Sequence, residues 1–142
     1  MKVIFLDFDG VINPITFHNS ANGFSKAACA NVQSILTKDP NVRIVISSAW
    51  RRNGLESCRK TLKDNGIDST KAIAVTDGDG GWDPDNRGEQ IQRWLDAHKS
   101  VKQYVVLDDF PIPKFADNTV KVNSYVGLTQ KDAEIACRIL CK

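Results

Sequence analysis

Apolar residues in this chain occur as short runs and as spaced stripes, and the two alternate. Runs of strand length cover residues 2–7, 42–46, 72–75, 104–107 and 119–122. Between them lie stripes at helical spacing. Residues 25–38 place Ala28, Val32, Ile35 and Leu36 on one face, with Ser25 as N-cap and Asp39-Pro40-Asn41 as stop. Residues 54–65 end at Asn65-Gly66, and residues 87–98 put Ile91, Trp94, Leu95 and His98 on one face. Thr129, with Asp132 three residues on, opens a last helix. Strands that alternate with helices of this length predict a parallel sheet with right-handed crossovers. The expected fold is α/β: a three-layer, Rossmann-like single domain over residues 1–142, with a five-stranded, mostly parallel sheet.

The polar residues that end these runs carry the chemistry. Asp7 and Asp9 follow the first strand, Ser47 the second, and Asp108 and Asp109 the fourth. In a parallel sheet all of these ends share one edge, where open α/β folds bind ligands. Residues i and i+2 of a strand point the same way, so Asp7 and Asp9 are expected to face one site. Like charges that close repel unless they share a cation or a proton. One carboxylate can then serve as nucleophile while the other moves a proton, with a metal lowering the electrostatic cost. An acidic strand-end turn explains one such cluster, but explains three at separate strand ends poorly.

Composition narrows the picture. A net charge of +2 in 142 residues does not mark a strongly basic nucleic-acid-binding chain. No apolar run approaches the ~20 residues of a membrane span, and the run at residues 3–6 is too short for a signal peptide, so a cytoplasmic protein is expected. Cys29, Cys58, Cys137 and Cys141 form no CxxC pair and are expected to be buried, reduced thiols. His18 and His98 are too few for a histidine zinc site. The Asp77, Asp79, Asp83 and Asp85 series fits no EF-hand register, because no register gives both glycine at position six and glutamate at position twelve.

Three segments together, Asp7-Phe8-Asp9-Gly10-Val11, residues 42–47 ending in Ser47, and Val105-Val106-Leu107-Asp108-Asp109, resemble the motifs of the haloacid dehalogenase-like (HAD) superfamily of phosphatases. Ser-Ser-x-Trp-Arg, Arg-Gly-Glu-x-Ile and Gly-Leu-Thr further resemble a small capless branch associated with RNA repair and nucleic-acid end processing. The resemblance implies a phosphatase in which Asp7 is the nucleophile and forms an aspartyl-phosphate, and Asp9 is the general acid and base. It implies Mg²⁺ held by Asp7, Asp108 and the carbonyl of Asp9, with Asp109 reaching the metal or its waters. Ser47 and a basic side chain would hold the phosphoryl oxygens. Arg87 stands where the family's basic residue is expected, while Arg51, Arg52 and Arg93 remain available. Trp50 reads as packing, and Trp82 as a substrate-stacking ring or a local plug.

Residues 11–24 and the stretch from Ser48 to Arg87 are too short for a cap domain, so the site should be open. An open site admits a phosphorylated polynucleotide end or a nucleotide. A capless enzyme closed by its own oligomer could instead act on a sugar phosphate or another small metabolite. An idle HAD-like binding module is the reading from another class, and the intact Asp7 and Asp9 pair argues against it.

Overall fold

The computed structural model describes residues 1–17, 23–76 and 84–142. Trp82, the residues of the acidic series from Asp77 to Asp83, and residues 18–22 lie outside the described residues.

Five strands, β1 (Lys2–Leu6), β2 (Val42–Ile46), β3 (Ala72–Val75), β4 (Gln103–Asp108) and β5 (Thr119–Lys121), form one sheet in the order β3-β2-β1-β4-β5. Every pairing is parallel, so the expected mostly parallel sheet is wholly so. Four helices complete the α/β fold: α1 (Lys26–Lys38), α2 (Leu55–Asp64), α3 (Pro84–Ala97) and α4 (Gln130–Leu140). The third helix begins three residues before Arg87, with Pro84 at its first position, where a missing N–H is harmless.

β1 is central, and Val3 to Leu6 are fully buried. Burial on both faces explains its unbroken apolar run. Alternation divides it between two cores. Ile4 and Leu6 pack with α1 and α4 residues such as Val32 and Ala136. Val3 and Phe5 pack with Ile91 and Trp94 of α3, the indole lying edge-on to Phe5 at 5.5 Å between ring centroids. The caps follow their sequence signals. Ser25 Oγ accepts from the Ala28 N–H at 3.1 Å, and Thr129 and Asp132 form a reciprocal capping box at 3.1 and 3.0 Å.

Among the described residues no cap domain is inserted. Between β1 and α1 the described residues hold a hydrogen-bonded turn from Phe8 to Asn13 and a 3-10 turn at Ile15–Phe17. Between β2 and α3 lie α2, β3 and short 3-10 turns at Ala49–Asn53 and Ser69–Lys71. Among the described residues, no helix is long and apolar enough to cross a membrane. All four cysteines are free; Cys29 and Cys58 are buried as expected. Cys137 is half-buried and Cys141 is exposed, because the latter sits at the C-cap of α4, past its last buried turn.

Candidate active site

Strand register sets out the acidic edge. Phe5 is aligned with Val45 on one side and Val106 on the other, and all three belong to the core that faces α3. Two residues further along each strand stand Asp7, Ser47 and Asp108, which alternation turns toward the same side. The ladder runs one step past β1 and β2: Asp7 N–H donates to the Leu107 carbonyl at 3.1 Å and Ser47 N–H to the Leu6 carbonyl at 2.9 Å. Asp7, Ser47 and Asp108 are all buried there.

Arg87, in the first turn of α3, reaches this cluster from the layer that covers it. Its Nη1 lies 3.0 Å from Asp7 Oδ2 and 2.6 Å from Asp108 Oδ2, and the side chain is buried. Asp109 joins them, and one carboxylate oxygen from each of Asp7, Asp108 and Asp109 lies within 4.8 Å of the others. Burial, then the charge of Asp108, hold the Asp7 carboxyl well above the usual carboxylate range, against the pull of Arg87. Burial likewise raises Asp108, with Arg87 opposing. Burial also works against the guanidinium charge, but Asp7 and Asp108 outweigh it and hold the Arg87 pKa above its ordinary value. Burial leads in each case, and beyond it the charges reflect three carboxylates converging where one guanidinium bridges two of them. A hard divalent cation matches an all-oxygen set with excess negative charge, so these residues could hold Mg²⁺.

Asp9 sits apart, in the turn after the strand. Phe8 C=O accepts N–H bonds from Val11, Ile12 and Asn13, and Gly10 N–H donates to Asn13 C=O at 2.9 Å. Gly10 has φ +83°, and a Cβ there would overlap the Asp109 carboxylate, so the turn needs glycine for conformation and for clearance. Asp9 Oδ1 accepts from Asn13 Nδ2 at 2.8 Å and from Trp50 Nε1 at 3.0 Å. Trp50 packs against Phe8 and Phe24, with ring centroids 5.8 and 5.5 Å away. It is a packing residue, as expected, and also a hydrogen-bond donor to Asp9, which the sequence does not reveal. Asn13 reads in the sequence only as a turn residue; its spacing of four from Asp9 was the available signal.

Ser47 Oγ is fully buried and, among the described residues, has no hydrogen-bond partner. Ser48 instead caps the 3-10 turn, its Oγ accepting from Trp50 N–H at 3.2 Å. Within that turn Arg51 is buried and donates from Nη1 to the Ser48 carbonyl at 2.9 Å, whereas Arg52 is exposed. The structure thus gathers Asp7, Ser47, Arg87, Asp108 and Asp109 at one edge. Arg51 is turned back on its own backbone. A separate groove, lined by Ala74, Arg93, Trp94 and His98, contains none of the acidic residues.

The sequence profile of a family described as the HAD domain in Swiss Army Knife RNA repair proteins matches residues 3–133. No curated protein and no solved structure matches the chain.

Proposed function

We propose that this chain, which belongs to the family of HAD domains in Swiss Army Knife RNA repair proteins, is a Mg²⁺-dependent phosphomonoester hydrolase acting on a nucleotide or a polynucleotide terminal phosphate. The observation that carries this reading is the pairing of a buried Asp7, flanked by Arg87, with a buried Ser47 hydroxyl lacking a partner among the described residues. A buried, unsatisfied hydroxyl is costly unless a ligand completes it. A phosphoryl oxygen is a fitting acceptor.

In the first step an Asp7 carboxylate oxygen attacks phosphorus. The bond from phosphorus to the leaving oxygen breaks, and Asp9 gives that oxygen its proton. In the second step Asp9 takes a proton from water as the water oxygen attacks phosphorus. The bond from phosphorus to Asp7 breaks, releasing phosphate and restoring the carboxylate. Ser47 Oγ donates to a phosphoryl oxygen during both steps. Arg87 orients Asp7 and neutralises charge on the transferring group; it fits this role better than Arg51 because its guanidinium lies against the Asp7 carboxylate. Mg²⁺ held by Asp7, Asp108 and the carbonyl of Asp9, with Asp109 beside them, would neutralise charge on the phosphoryl oxygens and between the carboxylates.

The family description and the absence of a cap support a polynucleotide end over a small metabolite. The test is phosphate release from 3′- and 5′-phosphorylated oligonucleotides, the matching mononucleotides and sugar phosphates. We expect higher kcat/KM on an oligonucleotide, falling as salt rises because each neutralised backbone phosphate releases counterions. Chelation should abolish turnover, Mg²⁺ should restore it, and Ca²⁺ should substitute poorly, since it takes more ligands at longer distances. Equal efficiency across the panel with no salt effect would favour the small-metabolite reading.

A further inference from the structure

We propose that Asn13 and Trp50 are positioning residues that hold Asp9 by Oδ1 and leave Oδ2 as the oxygen that gives and takes the proton. The inference rests on the phosphatase reading above.

Both groups on Oδ1 are donors only. The indole N–H at 3.0 Å cannot accept a hydrogen bond, and neither can the amide NH₂ at 2.8 Å. The amide assignment follows from the network: rotated the other way, Asn13 would present its oxygen to a carboxylate oxygen. An oxygen already taking two N–H bonds is a poor place for a proton, so a protonated Asp9 carries it on Oδ2. Among the described residues no donor reaches Oδ2, and Asp9 is only partly buried.

The two donors are themselves fixed. Asn13 N–H donates to Phe8 C=O at 2.9 Å and its carbonyl accepts from Gly10, so the turn that displays Asp9 also anchors its partner. Trp50 is wedged against Phe8 and Phe24, and the Ser48 cap holds its backbone. Packing alone would be served by phenylalanine; the N–H adds something packing does not need. When the bond to the leaving oxygen breaks, its electron pair stays on that oxygen and the proton on Oδ2 follows it. When water attacks, its proton returns to Oδ2. A carboxyl free to rotate would present the wrong oxygen for part of the time.

The test compares Trp50→Phe with wild type on a p-nitrophenyl phosphate and on a simple alkyl phosphate. The aryl leaving group departs as a stable anion and needs little protonation, whereas the alkyl oxygen needs the proton in the transition state. kcat/KM reports transfer to Asp7, so we expect it to fall by about tenfold or more for the alkyl ester and by less than about threefold for the aryl ester. Equal losses on both esters, or none on either, would overturn the positioning role. If wild type turned over neither ester, the phosphatase reading itself would fail, and the Oδ2 role with it. A second measurement needs no turnover. The indole N–H resonance that vanishes in Trp50→Phe should move upfield in Asp9→Ala, and an unmoved resonance would overturn the contact.

Discussion

Asp7 is both the residue the proposed chemistry needs most and a burden on the folded chain. It is buried beside Asp108 and Asp109, with the Arg87 guanidinium shared between Asp7 and Asp108. Asp7→Asn keeps the shape, removes the nucleophile and leaves the Arg87–Asp108 pair in place. Turnover should fall by several orders of magnitude, up to about 10⁶-fold. In chelator, the same variant should melt higher than wild type, by roughly the 2–8 °C that 1 kcal/mol is worth in domains of this range. The sign with pH follows from the raised Asp7 pKa. A neutral buried carboxyl is tolerated at low pH, and that stability is lost as pH rises from the unfolded carboxyl's pKa through the raised folded one. The melting advantage of Asp7→Asn should therefore be absent below about pH 4 and grow toward neutrality. Thermal melts at several pH values would decide it, and an Asn variant that melts lower would show that Arg87 depends on both carboxylates. Cys29 offers a second residue-scale check. Burial pushes its thiol pKa up to about 11, so little thiolate exists near neutrality. In native protein a thiol reagent should label exposed Cys141 first, and Cys29 only on unfolding or at strongly alkaline pH.

Elements position these residues, and much of that positioning was legible in the chain. The alternating runs and stripes lead to the sheet, the order of the helices and the edge that carries Asp7, Ser47 and Asp108, because alternation is a local property of each strand. The partnership of Trp50 with Asp9 was not legible: it joins residues far apart in sequence, and an aromatic beside a strand end usually means packing. Nor did the sequence show that Arg51 turns back to Ser48 while Arg87 enters the cluster, since both are arginines close to strand ends or helix starts at the same edge of the sheet. The exposure of Cys141 was missed because the helical stripe does not mark where the last buried turn stops. The turn after β1 makes a sharper prediction. Gly10→Ala must strain a φ of +83° and displace the Asp109 carboxylate. We expect a stable protein with a raised Mg²⁺ requirement and at least about tenfold lower turnover, in keeping with what small misplacements cost. A Mg²⁺ titration of activity beside a thermal melt measures both, and unchanged metal dependence would separate Asp109 from the metal.

At the scale of the whole molecule, no cap domain is inserted among the described residues, which suits a phosphate attached to something large. The sheet order that creates the acidic edge also governs how the protein comes to exist. β1 is made first but lies in the middle, and its second neighbour, β4, spans Gln103–Asp108. Loop-closure entropy must be met before that pairing rewards it, which slows folding of such topologies. At about 5–20 residues per second, a ribosome exposes β1 for several seconds before β4 emerges. During that interval one side of the β1 backbone, between Val3 and Leu6, is an open hydrogen-bonding edge, the kind that invites aggregation. A fragment of residues 1–102 should accordingly aggregate at concentrations where the full chain stays monodisperse by light scattering, and a monodisperse fragment would show that the edge is protected some other way. Asp7 also meets Asp108 only when this last central pairing forms. The proposed phosphate-cleaving centre is therefore assembled only with this pairing, and the appearance of activity during refolding should coincide with completion of the sheet rather than precede it.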